Sequence, residues 1–185
     1  GIEIIISTKD MPYETMLDAE VFSWYINTFH INGVSTFLSR FVYKFLKIDY
    51  GVFYEKLLSF LKQDNWFCKE MAEIRMYYDN WMSKGQIDHN NIGNVEIHGW
   101  NLIHRTVINI HFQNKYNHVF SLLYKFMEET FCLDNNILDE LFTFQKNYLI
   151  SYKNIKKLPK KIFFQYDFLN YVQETGELNN PVTYE

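Results

Sequence analysis

Between residues 11 and 149, apolar side chains recur three and four positions apart in blocks broken by short polar stops. This spacing leaves little choice of fold. It places apolar groups on one face of an α-helix, whereas a strand would need alternation at every second residue. Asp10, Pro12 and Glu14 open the first block, expected to be helical over residues 11–31. Its stripe is Leu17, Val21, Trp24 and Thr28, widened by Tyr25 and Phe29, and Asn32-Gly33 stops it. Ser35 is placed to cap a second helix with Leu38, Phe41, Val42 and Phe45 on its inner face. Asp49 caps a third (Phe53, Leu57, Phe60, Leu61), and Asp64 or Asn65 opens a fourth that carries Phe67, Met71, Ile74 and Tyr78 to Ser83.

Residues 85–94, rich in glycine and asparagine, read as a loop. Helices are expected at 99–112, 116–130 and 137–149, the last capped by Asp134. Only the ends change period. Ile4-Ile5-Ile6 suggests a short strand or linker, and the alternation Ile162, Phe164, Tyr166 after Pro159 suggests another strand. A turn or two of helix follows at 167–174, then a polar tail. The expected fold is mainly α, a single multi-helix orthogonal bundle with short extended segments at both ends. Residues 1–9 would be a strand or linker from an upstream domain, 10–158 the helical domain, and 159–185 a short strand, helix and polar tail. Gly1 in place of methionine, and an apolar start without a charged leader, suggest a piece of a longer protein.

Composition narrows the function classes. With 18 basic against 22 acidic side chains, nothing favours nucleic acid or an anionic membrane as a partner. No apolar run approaches the ~18 residues of a membrane-spanning helix, and the expected compartment is the cytoplasm. Two isolated cysteines, Cys68 and Cys132, make no disulfide framework and no multi-cysteine metal cluster. The 17 phenylalanines and 14 tyrosines, set against two alanines, follow from adenine- and thymine-rich codons rather than from a special aromatic role.

No GxGxxG, phosphate loop, HExxH or GxSxG occurs, so no catalytic residue is assigned. His104, His111 and His118 are seven apart; seven residues of helix span ~10.5 Å, too far for ligands ~2.1 Å from one zinc ion. Glu14 and Asp18 sit one turn apart at a helix start, where negative charge is favoured without any ligand. Lys153, Lys156, Lys157, Lys160 and Lys161 read as a solvated turn. The stretch 24–40, WYINTFHINGVSTFLSR, is richer. Trp24, Asn27, His30 and Arg40 supply indole, amide, imidazole and guanidinium around the Gly33 break, and they are the candidate substrate- or partner-binding residues, suited to an anionic or hydrogen-bonding ligand. They share a surface if the break turns the second helix back against the first.

TKDMPYETMLDAEVFSWYINTFHINGVSTFLSRF (residues 8–41) resembles the segment that follows the catalytic core in cobalamin-binding radical S-adenosylmethionine proteins. LFTFQKNYLISYKNIKKLPKKIFFQYDFLNYV (141–172) is similar to their Phe-Gln helix, proline-led turn, extended run and tyrosine–aspartate pair before a final helix. The resemblance implies a parent protein with a flavodoxin-like cobalamin domain and a TIM-type barrel whose CxxxCxxC loop holds a 4Fe-4S cluster that cleaves S-adenosylmethionine. This chain has none of those cysteines, and no DxHxxG cobalamin loop, since Thr28 stands two before His30. It would be the C-terminal accessory domain, without cofactor or metal of its own, whose partners are the upstream catalytic domains of the same polypeptide. A free-standing helical protein-interaction module is the competing reading.

Overall fold

The computed structural model describes residues 8–84, 91–92, 95–96, 104–148 and 160–184. Helix α1 (Tyr13–Ile26) runs into a π-helical turn (Asn27–Ile31), followed by α2 (Thr36–Leu46), α3 (Tyr50–Leu61) and α4 (Asn65–Lys84). A two-residue ladder, β1 (Asn91–Ile92) with β2 (Val95–Glu96), lies within the expected loop region and just beyond it. Then come α5 (Arg105–Phe112), α6 (Tyr116–Phe131), α7 (Asn135–Tyr148), β3 (Ile162–Phe164), α8 (Phe168–Val172) and β4 (Val182–Tyr184). The fold is mainly α, as the apolar spacing predicts. The upstream strand or linker at 1–7, the head of the helix expected from 99, and Lys153, Lys156 and Lys157 lie outside the described residues.

The helices stand where their stripes need cover. α1 packs on α4, α2 on α3, α7 and α8, and α6 on α7. Between them Phe29, Phe41, Phe53, Phe67, Phe120, Phe126 and Phe168 are fully buried. Each such ring contributes about 1.5–3 kcal/mol by leaving water. The scarcity of alanine is met by aromatic interlocking: Phe53 meets Phe126 edge-on at 5.5 Å and stacks on Phe131 at 5.8 Å.

Capping follows the sequence in part. Asp64 Oδ1 accepts the Trp66 and Phe67 N–H groups, both at 3.0 Å, and Asp134 Oδ1 accepts from Asn136 at 2.9 Å. Ser35 and Asp49 occupy N-cap positions without a side-chain cap bond. The Ser35 hydroxyl turns back instead and donates at 3.2 Å to the Phe29 carbonyl, which also accepts the Ser35 N–H at 2.7 Å and, at the end of its helix, lacks a full intrahelical partner. Phe45, expected on the inner face of α2, is 42% exposed and stacks on Phe41.

The C-terminal piece is not a tail. β4 pairs antiparallel with β3, Ile162 opposite Tyr184 and Phe164 opposite Val182. Asp167, 1% exposed, caps α8 and receives the Tyr184 hydroxyl, while its own N–H donates to the Leu178 carbonyl at 2.9 Å. A three-residue alternation at 182–184 is too short to stand out from polar neighbours, and only its pairing with β3 makes it a strand.

Candidate functional site

The π turn is where the candidate residues part company. The Asn32 N–H donates to the Asn27 carbonyl at 2.8 Å, an i→i+5 bond, and the Asn32 side-chain amide reaches the same oxygen at 2.9 Å. The His30 carbonyl accepts the Gly33 N–H at 3.3 Å and the Thr36 hydroxyl. Gly33 has φ 85°, a conformation that glycine adopts at least cost, so the expected break is real. Six residues of ideal α-helix already rotate a side chain by about 240°, and the wider π turn, which rotates less per residue, brings that nearer to the opposite face. His30 is thereby carried away from the Trp24 face and onto α2 and α3.

There it joins residues that sequence reasoning did not single out. His30 Nδ1 lies 2.9 Å from the Tyr54 hydroxyl and 3.3 Å from Ser39 Oγ. The Tyr54 hydroxyl donates to Ser39 Oγ at 3.0 Å and Ser39 donates on to the Thr36 carbonyl at 3.0 Å, so the chain of bonds starts from a protonated Nδ1 that donates to Tyr54. The imidazole meets Tyr50 and Tyr54 edge-on, with centroids at 5.4 and 5.7 Å. Tyr43, one turn after Arg40 on α2, stacks on Tyr50 at 4.8 Å. Burial, and then the neighbouring Arg40 charge, hold the His30 pKa below its ordinary value, so the ring is neutral. The Tyr54 pKa is pushed up to about 12, chiefly by burial, which keeps its hydroxyl protonated. A guanidinium, a neutral imidazole and tyrosine hydroxyls can bind and orient. Ser39, the one aliphatic hydroxyl beside the imidazole, is fully buried.

Trp24 and Asn27 lie elsewhere. Trp24 is 3% exposed and donates from Nε1 to Thr106 Oγ1 at 2.9 Å. The Thr106 hydroxyl in turn donates to Glu70 Oε1 at 3.1 Å, and Asn109 Nδ2 donates to both Glu70 oxygens at 3.0 Å. Arg105 Nε stands 3.6 Å from Glu70, and its guanidinium pairs with Glu73. Burial raises the Glu70 pKa, against the opposing Arg105 charge. This enclosed network joins α1, α4 and α5. Its one sequence signal is Glu70 itself, three after Phe67 and four before Ile74 on an inward stripe. Asn27 donates to the Ser23 carbonyl one turn back, at 3.0 Å. Of the four candidates, the structure brings His30 and Arg40 together and takes Trp24 into the core.

The remaining sequence candidates resolve locally. Glu14 and Asp18 both pair with Arg75. His118 bonds Asp64 at 3.0 Å, His104 bonds Asn32 at 2.8 Å, and the His111 ring lies against Tyr116. The donor set does not fit an iron–sulfur cluster. Cys68 Sγ donates to the Lys62 carbonyl, Cys132 is the left-handed C-cap of α6, and no three metal-ligating side chains converge among the described residues. Nor does a partly open pocket of ≈ 10 Å³ between α1 and α3, lined by Phe22, Tyr25, Phe29, Tyr54 and leucines, fit S-adenosylmethionine or cobalamin. Among the described residues no helix is long and apolar enough to cross a membrane. No protein-family model matches the chain, and no curated protein matches it at a significant level.

Proposed function

We propose that this chain is the C-terminal accessory domain of a radical S-adenosylmethionine, cobalamin-binding-type iron–sulfur enzyme, contacting substrate or partner and performing no chemistry alone. The observation that carries the reading is that the two segments bearing the resemblance are packed into one unit. Gln145, fully buried on α7, accepts the Phe37 N–H at 2.8 Å through Oε1 and donates to the Gly33 carbonyl at 2.7 Å through Nε2. Phe37 meets Phe144 edge-on at 4.8 Å and Phe41 meets Phe168 at 5.9 Å. The Lys44 ammonium lies 4.4 Å from the Tyr171 ring centroid and donates to that residue's carbonyl.

On this reading the 4Fe-4S cluster, S-adenosylmethionine and cobalamin belong to upstream catalytic domains in the cytoplasm, and those domains are the partner. This chain offers them the surface around His30 and Arg40. The test is to read the gene upstream of Gly1, where a CxxxCxxC motif is expected in the same frame. In the full-length enzyme, His30→Ala and Arg40→Ala should lower turnover while the melting temperature moves by only a few degrees. A start codon directly before Gly1 would overturn the proposal in favour of a free-standing helical interaction module.

A further inference from the structure

The fold treats the chain's three arginines differently. Arg75 donates to Glu14 and Asp18, and Arg105 lies against Glu70 and Glu73. Arg40 has no carboxylate partner among the described residues. It is half-buried, and its guanidinium carbon stands 6.0 Å from the centroid of the Phe37 ring. Its charge falls instead on His30, Tyr50 and Tyr54. A partly desolvated guanidinium with no acceptor forgoes the charge-assisted hydrogen bonds to which its planar fork is suited.

The groups around it complete a receptor. His30 is held internally, its Nδ1 bonded to Tyr54, which donates on to Ser39, and the imidazole forms one wall beside the stack. Tyr43 and Tyr50 form a nearly parallel stack, interplanar angle 11°, and both are at least a third exposed, 44% and 36%. We propose that this cluster binds a carboxylate carried on an aromatic or apolar group, with the carboxylate on Arg40 and the apolar part on the Tyr43–Tyr50 stack. One guanidinium beside a neutral imidazole, with Asp49 adjoining Tyr50 in the chain, matches a monoanion and disfavours a phosphate dianion. The inference rests on the proposed accessory role only in treating this surface as a contact surface. The ligand chemistry is tested on the 185-residue chain alone, without reference to the upstream gene.

The experiment titrates the chain with phenylacetate, N-acetylphenylalanine, N-acetylphenylalanine amide and inorganic phosphate, following the His30 ring resonances by NMR. Both acids should saturate, and the neutral amide should bind at least about tenfold more weakly, since a charge-assisted bond is lost. Tighter binding of N-acetylphenylalanine than of phenylacetate identifies a polypeptide terminus as the source of the carboxylate, and the reverse order identifies a small acid. Arg40→Gln should weaken both acids by about tenfold, and Arg40→Lys by less, with circular dichroism unchanged. The proposal is overturned if the amide or phosphate binds as well as the acids. It is equally overturned if neither acid saturates, or if a folded Arg40→Gln variant binds them unchanged.

Discussion

Replacing Gln145 by methionine keeps the volume of a fully buried side chain and removes both of its polar ends. Two groups then lose their partners. The Phe37 N–H belongs to the first turn of α2, has no intrahelical acceptor, and is held at 2.8 Å by Oε1 alone. The Gly33 carbonyl, bonded at 2.7 Å to Nε2, belongs to a half-buried residue and can recover part of its loss from water. An unsatisfied buried group costs about 1–3 kcal/mol, the fuller share falling on Phe37. The apolar gain of methionine offsets a part, so the net loss should be about 2–4 kcal/mol. For a chain of this size that lowers the melting temperature by about 4–16 °C. Urea unfolding followed by tryptophan fluorescence measures it directly. A loss below about 0.5 kcal/mol with an unchanged m-value would refute the view that Gln145 clamps the two segments, because no compensating contact is at hand for the Phe37 N–H.

Gly33→Ala should cost about 1–2 kcal/mol through its left-handed φ, and combined with Gln145→Met it should lose less than the sum, since both act on one turn; equilibrium denaturation of the double-mutant cycle decides. The Glu70 pKa is raised, so the folded chain holds that proton more tightly than the unfolded one. Its contribution to stability is full below the unfolded value of about 4.3 and is lost as pH rises through the folded value. Glu70→Gln, whose amide can donate to the unpartnered Asn109 Oδ1, should flatten that slope and be at least as stable at neutral pH, whereas Glu70→Leu should cost about 3–5 kcal/mol; urea titrations at several pH values compare them. The Asp167 pKa is depressed: burial opposes ionisation, but bonds from Tyr184 and Asn170 outweigh it. That stabilisation is present above the unfolded value of about 3.9 and disappears as pH falls through the folded one. Tyr184→Phe should remove about 1.5–3 kcal/mol at neutral pH and speed hydrogen exchange in β3 and β4.

What could be read in advance was local. Seven helical blocks, the Gly33 break, and the Asp64 and Asp134 caps follow from spacing and from side-chain chemistry within one turn. The Ser35 cap fails because its hydroxyl, like its own N–H, goes to the Phe29 carbonyl six residues back, at the end of the preceding helix. Of the four candidate residues, His30 feels the Arg40 charge and packs on Tyr50, which stacks on Tyr43 one turn after Arg40. Trp24 is drawn elsewhere by Thr106, eighty-two positions away. Tyr43 and Tyr50 were indistinguishable in sequence from a dozen other tyrosines.

The amino-acid order by itself determined where helices start and stop, because those events depend on groups within about four residues of each other. Which faces meet was decided only in three dimensions. Gln145 against Phe37, Tyr184 against Asp167 and the unpaired Arg40 beside His30 are set by the packing of whole helices and by the extra residue in one turn. A hydrophobic period specifies that a face must be covered. It carries no information about which face will cover it, and so the placement of the polar groups at the seams follows from the tertiary fold alone.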